Sequence, residues 1–252
     1  MSFRALRRAV ALVFALFLIS ASFAWMRLFG PMTLVRRAHW LQKACQWMLF
    51  ALGIKTVVEG EPPRQGVIVA NHLSYLDIVI LSAATPCFFV AKAEIGKWPY
   101  FGWAARSGGT LFIDRSSLAS AERVAAMISE RLALPVPVLF FPEGTSTDGS
   151  SLLRFHSRLF EPAVLAKAPI TTATLRYTIS DGTPERELCW FGDDAFLPHL
   201  LKALGVAGFS AEVRFGDPQV YPHRRVAAIQ THAEINSTRM MEAPAIEPAV
   251  AD

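Results

Sequence analysis

Between Arg8 and Arg27 the chain runs 18 residues without a charge, including Val-Phe-Ala-Leu-Phe-Leu-Ile at positions 13–19. As a helix rising about 1.5 Å per residue, this stretch spans about 27 Å, marginal against a hydrocarbon core of about 30 Å. Residues 33–53 show a helical period. Leu34, Trp40, Leu41, Ala44, Trp47, Met48, Ala51 and Leu52 fall near one face, with Arg36, Arg37 and Lys43 largely off it. A basic amphipathic helix bearing tryptophans has the composition of a helix lying in a membrane interface. From residue 55 short apolar runs alternate with helical patterns. The runs at 55–59, 66–70, 86–91, 110–114, 137–141, 170–177, 187–191 and 210–215 predict strands, and 75–84, 93–106, 118–133, 159–167, 195–205 and 223–240 predict helices. This alternation predicts an α/β class with a largely parallel central sheet flanked by helices, preceded by a membrane-associated helical pair. The expected organisation is residues 1–54 as the N-terminal helices, 55–241 as one α/β domain, and 242–252 (EAPAIEPAVAD) as a disordered tail.

Composition sharpens this picture. Of 252 residues 52% are apolar, which excludes a mostly disordered chain and permits a sizeable core. Cys45, Cys87 and Cys189 are too few for a disulfide scaffold, and each sits among apolar neighbours, so buried, reduced thiols are expected. The formal charge of +4 is unevenly spread: residues 1–58 hold eight Lys or Arg and no Asp or Glu, and the remaining 17 basic residues face all 21 acidic ones. Basicity confined to the N-terminal segment argues against a nucleic-acid partner, which requires it across a folded face. Arg4, Arg7 and Arg8 followed by an apolar run and Ser20-Ala21-Ser22 also fit a cleaved signal peptide. The preferred reading is a helical pair dipping into, or lying on, the cytoplasmic leaflet of the cell's inner membrane, with a single spanning helix as the alternative.

Three polar clusters each follow a predicted strand: Asn71 to Asp77, Asp114-Arg115, and Pro142 to Ser146. In open α/β sheets ligands bind at the carboxyl ends of strands, so clusters converging on that edge mark a site. Asp77 lies five residues after His72, across an expected strand-to-helix turn. Folding back there would let the carboxylate hold one imidazole nitrogen and leave the other as a general base. No G-x-S-x-G nucleophile is present, so the attacking hydroxyl would come from the substrate. No H-E-x-x-H or paired-cysteine pattern suggests a metal. Arg115 is either a surface partner of Asp114 or an anion ligand. Glu143-Gly144-Thr145 is either a turn and cap or an anion-binding loop.

At these residues the chain resembles the glycerolipid acyltransferases typified by 1-acylglycerol-3-phosphate acyltransferase, the PlsC-like lysophospholipid acyltransferases. The family's N-H-x-x-x-x-D motif stands as Asn71 to Asp77, its G-x-x-F-x-x-R as Gly109 to Arg115, and its F-P-E-G-T as Phe141 to Thr145. A looser fourth element matches Ala168-Pro169-Ile170, and Ala91 to Glu94 with Trp98 to Gly102 fit the family's intervening segment.

The resemblance, covering roughly residues 55–215, implies transfer of a fatty acyl group from an acyl thioester, acyl-CoA or acyl carrier protein, to the hydroxyl of a lyso-lipid. It implies His72 as base, Asp77 as its orienting partner, Arg115 and Lys92 as ligands of an anionic head group, and Glu143, Gly144 and Thr145 as the shape of the acceptor site. No metal or prosthetic group is implied. The first acceptor implied is 1-acylglycerol-3-phosphate, giving phosphatidic acid. Lyso-ornithine lipid or another lysophospholipid is the alternative, and a non-catalytic lipid-binding module the remote one. Two departures bear on a phosphate head group: Ser146 stands where many members carry Arg, and Phe155-His156-Ser157-Arg158 where Phe-Lys-x-Gly is frequent.

Overall fold

The computed structural model of the protein describes residues 2–114 and 118–241; the expected tail at 242–252 lies outside them. Two helices open the chain, α1 (Phe3–Leu28) and α2 (Leu34–Leu52). Seven strands follow: β1 (Lys55–Glu59), β2 (Val67–Ala70), β3 (Phe88–Lys92), β4 (Leu111–Ile113), β5 (Val138–Phe140), β6 (Ile170–Ile179) and β7 (Phe209–Phe215). Between and after them run α3 (Leu76–Ala84), α4 (Phe101–Gly108), α5 (Leu118–Leu132), α6 (Glu161–Leu165), α7 (Phe196–Gly205) and α8 (Arg224–Met240).

The strands form one sheet in the order β1-β7-β6-β2-β5-β3-β4. Strands β2 to β6 run parallel to one another, while β7 is antiparallel to β6 and β1 is parallel to β7, so one edge of the sheet is reversed. The central strand β2 explains the layering. Its four residues are all buried, an uninterrupted apolar run suited to a strand covered on both faces. Ile68 and Ala70 enter a core with Cys45 and Leu49 of α2, Ile80 and Leu81 of α3, and Ala203 of α7. Val67 and Val69 point the other way, onto Val124 and Ile128 of α5 and Ala227 and Ile235 of α8. Cys45, Cys87 and Cys189 are all buried and unbridged.

Helix α1 forms an outer layer over α2 and α7. Ala5, Arg8, Leu12, Ala15 and Ile19, spaced three or four apart, are its buried stripe. Leu12 packs with Leu52 and Leu204, and Ile19 with Trp40 and Ala44, which makes α1 and α2 antiparallel. Arg8 donates to the Val206 carbonyl at 2.8 Å and to that of Leu204 at 3.3 Å, where α7 ends. The opposite face of α1 exposes Phe3, Leu6, Val10, Val13, Phe14, Phe17 and Trp25, and α2 adds Trp47 and Phe50.

Three expected elements come out differently. Residues 187–191 form no strand; a 3-10 turn at Glu185–Leu188 leads into a loop. The run is apolar because Leu188 and Cys189 enter the core and Trp190 and Phe191 face a cavity. The helix expected at 93–106 is split into a 3-10 turn at Ala93–Lys97 and α4, with Pro99 between them and Tyr100 at φ 53°. The helix expected at 159–167 begins as a 3-10 turn, Ser157–Phe160, before α6.

Candidate active site

Asn71 continues β2 by side chain instead of backbone. Its amide donates to the Leu175 carbonyl at 3.2 Å and accepts the Leu175 N–H at 2.7 Å, so the chain can leave the sheet here without stranding the β6 groups. The turn then carries His72 outward, and Asp77 falls in the first turn of α3. The carboxylate folds back over the turn: Oδ2 accepts the Leu73 N–H at 2.7 Å, the Ser74 N–H at 3.0 Å and His72 Nδ1 at 2.7 Å. Its other oxygen, Oδ1, accepts the phenol O–H of Tyr177 from β6. Asp77 is fully buried, and the His72 side chain is 18% exposed. A carboxylate only accepts, so Nδ1 of His72 is the donor here, and in the neutral imidazole Nε2 is the nitrogen with the free lone pair.

His72 is fixed on three further sides. Its ring stacks on that of Phe141, centroids 4.0 Å apart and planes 12° from parallel. Its N–H donates to Oε1 of Glu143 at 2.8 Å, and its carbonyl accepts the Thr147 N–H at 2.9 Å. The second Glu143 oxygen accepts the Leu153 N–H at 2.9 Å. Burial pushes the Glu143 carboxyl above its ordinary range, against the pull of those two N–H donors. Gly144 follows at φ 83°, a conformation suited to glycine, and lets the loop after β5 turn back toward His72.

His72 lines a cavity of about 340 Å³ that reaches from the strand ends to the N-terminal helices. Its far wall is apolar, with Ile19 of α1, Trp40, Ala44 and Met48 of α2, and Ala104 of α4. Lys92, at the end of β3, and Gly144 and Thr145 also line it. Thus His72, Lys92, Gly144 and Thr145 meet at one cavity, with Asp77 immediately behind His72. Glu143 is buried and spends both oxygens on backbone, so it shapes the site by holding His72 and the loop at Leu153. Arg115 lies outside the described residues. The preceding strand, β4 (Leu111–Ile113), is the edge strand, separated from β2 by β5 and β3.

The sequence reading missed Tyr177, because a tyrosine in a strand carries no pattern of its own. It also missed Trp190. The Trp190 N–H donates to the Leu73 carbonyl at 2.9 Å and the Ser146 hydroxyl donates to the Trp190 carbonyl, which ties the 190 loop over the turn that bears His72. Ser146 thus ties the 190 loop down at the position where the resemblance leads one to expect Arg.

A family model described as acyltransferase matches residues 55–176. A protein of Rhodobacter capsulatus named lyso-ornithine lipid O-acyltransferase is 38% identical over 202 residues, covering 77% of this chain and 73% of that one. The chain belongs to the acyltransferase family. A Pseudomonas aeruginosa acyltransferase, also named for lyso-ornithine lipid, is 38% identical over 71% of this chain and 67% of its own length. The 1-acyl-sn-glycerol-3-phosphate acyltransferase of Neisseria gonorrhoeae is 39% identical over a shorter stretch, 46% of each chain. Among solved structures, the PlsC acyltransferase of Thermotoga maritima superposes with a TM-score of 0.64 at 16% identity, covering 96% of this acyltransferase and all of that chain. That likeness is one of fold: a mostly parallel sheet with helices on both faces.

Proposed function

We propose that this acyltransferase esterifies a lyso-lipid hydroxyl with His72 as general base, and that its acceptor is a lyso-ornithine lipid. The observation that carries the reading is the His72–Asp77 pair at the head of an apolar cavity. Nε2 of His72 takes the proton of the acceptor hydroxyl as that oxygen attacks the thioester carbonyl. The C–S bond then breaks, the thiolate leaves and takes the proton back from the imidazolium, and an ester and a free thiol result. Asp77 holds Nδ1–H and stabilises the imidazolium while it lasts. Two hydrophobic tails must be sheltered during this step, and the wall from Met48 to Ala104 offers apolar surface for an acyl chain.

Two observations favour the ornithine head group over a phosphate. The relatives named for lyso-ornithine lipid align over more of this chain than the one named for 1-acylglycerol-3-phosphate. Ser146, which brings no cation, gives its hydroxyl to a backbone carbonyl. Phosphatidic acid synthesis is the second reading, supported by the complete Phe141–Thr145 motif. Lys92, Thr145 and Arg115 are the groups proposed to meet the acceptor's anionic end. The exposed apolar faces of α1 and α2 suit a lipid surface, proposed as the cytoplasmic leaflet of the inner membrane, from which an acyl-CoA or acyl carrier protein can reach the site. Thin-layer analysis of radiolabelled products, from purified protein with either thioester and a panel of lyso-lipids, tests this reading. Ornithine lipid is the expected product, and phosphatidic acid alone would overturn the choice of acceptor.

A further inference from the structure

Tyr177 is the first residue beyond the segment that the family model matches, yet its phenol meets the carboxylate that holds His72. Asp77 receives three donors on Oδ2, all from its own turn, whereas the donor to Oδ1 comes from β6 on the far side of β2. Neither group is open to bulk solvent, since Asp77 is fully buried and Tyr177 is 3% exposed. An Oδ1 without that phenol would be a buried, unpartnered anionic oxygen, free to trade places with Oδ2 in front of the imidazole.

Tyr177 is itself held. Its N–H donates to Oε1 of Glu185 at 2.7 Å, and Oε2 of Glu185 accepts from Arg239 of α8, also at 2.7 Å. Arg239 donates in addition to the carbonyls of Leu175 at 2.5 Å and Gly149 at 2.8 Å. Leu175 in turn is the partner of Asn71. One hydrogen-bonded line therefore leads from Arg239 through Glu185 and Tyr177 to Asp77 and His72, and a second closes it through Leu175 and Asn71.

Resting on the reading of His72 as base, we infer that Tyr177 is a positioning residue for the acyl transfer: its hydroxyl fixes which oxygen of Asp77 faces His72 and sets how strongly that oxygen holds the imidazolium. Burial and the neighbouring Asp77 charge both drive the phenol's titration far up, so it stays a neutral donor at working pH. The titratable and charged groups around the pair are His72 itself, Glu143 from the loop after β5, Cys189 and Glu185 from the turn before the 190 loop, Asp148, and Arg239 from α8. None of these donates to Oδ1. Removing the hydroxyl leaves the carboxylate less neutralised, so it grips the imidazolium more tightly and His72 gives up its proton at higher pH.

The test uses the full-length protein in mixed micelles with palmitoyl-CoA and lyso-ornithine lipid, and in parallel with 1-acylglycerol-3-phosphate, and compares wild type, Tyr177→Phe and His72→Ala. For Tyr177→Phe we expect kcat per folded molecule to fall on the order of 10- to 100-fold, the loss of one hydrogen bond to a charged group. KM for both substrates should stay within about twofold, and the acid limb of kcat/KM should move up by about half a pH unit or more. As a second variant, 3-fluorotyrosine placed at position 177 keeps the ring and strengthens the donor, so the limb should move down. A rate per folded molecule that is unchanged in Tyr177→Phe, or an acid limb that does not move in either variant, overturns the positioning role, whatever happens to the melting temperature. Near-normal turnover in His72→Ala would instead overturn the reading of the base, which separates the two failures.

Discussion

Glu143 holds His72 by its main chain and leaves the imidazole alone. Its Oε1 accepts the His72 N–H at 2.8 Å, while the ring answers to Asp77 and Phe141. The glutamate of the Phe141–Thr145 motif is thereby separated from proton transfer and assigned to geometry. Glu143→Gln keeps one acceptor oxygen but puts an NH₂ against a backbone N–H. We expect kcat to fall about tenfold and the melting temperature to drop, since one buried donor goes unanswered at a cost of about 1–3 kcal/mol. Steady-state kinetics beside a melting curve checks both.

His72→Ala should lose at least about 100-fold in turnover with its melting temperature nearly unchanged, because a positioned general base contributes about 10²–10⁴-fold. Asp77→Asn should lose activity and stability together. Asp77 is fully buried and accepts four donors, and an amide cannot accept all of them. The contrast between the two melting curves is the measurement.

Ala104 offers α4's surface to the apolar wall of the cavity, beside Trp40, Ala44 and Met48 of α2. Ala104→Phe should shorten the chain that fits. The ratio of palmitoyl-CoA to decanoyl-CoA turnover is expected to drop about tenfold, in line with about 1–3 kcal/mol for overfilling a packed site. Competition between the two thioesters reads the ratio directly; an unchanged ratio would place the acyl chain elsewhere.

Phe14 is 62% exposed on the face of α1 opposite its docked stripe. Phe14→Glu should weaken binding to anionic phospholipid vesicles at least about tenfold, since burying one such side chain is worth about 1.5–3 kcal/mol. The fold should be untouched, because Leu12 and Ile19 still pack. Wild type should stay on the vesicles in high salt, and release by salt alone would contradict an apolar attachment.

His199 of α7 accepts or donates through Nδ1 to the Tyr75 hydroxyl at 3.1 Å, and burial pushes its titration below the usual 6.5. The unfolded chain therefore binds this proton before the native protein does. The associated stability is fully present above pH 6.5 and is lost as pH falls from there through the lower native value. His199→Gln should flatten the fall of melting temperature between pH 7 and 5, as read by scanning calorimetry.

How much of this was legible follows from where the information sits. The period-two and period-3.6 patterns located β2, β6, β7, α3, α5, α7 and α8, because each buries a regular stripe or run. They mistook residues 187–191 for a strand, since an apolar loop that roofs a cavity has the composition of a buried strand. Local spacing was enough for His72 and Asp77, which are joined by a single turn. It could not supply Tyr177, Glu185 or Arg239. Tyr177 meets Asp77 across 100 residues of chain and Arg239 meets Glu185 across 54, and nothing in a linear pattern records such pairs. Nor could it reverse β1, since a short apolar run reads the same in either direction.

That reversed edge has a consequence for how the chain assembles. Lys55 of β1 finds its partner at Ser210 of β7, so the first strand stays unpaired until nearly all of the domain has been made. Closing so long a loop costs entropy before any ladder bond repays it. During synthesis α1 and α2 emerge well before the strand that anchors the segment following them. The ordering of events is written into the strand sequence, with the apolar helices available early to a hydrophobic surface and the sheet sealed last. A chain stopped before Phe209 would carry β1 as a bare edge, a ready template for pairing with another chain.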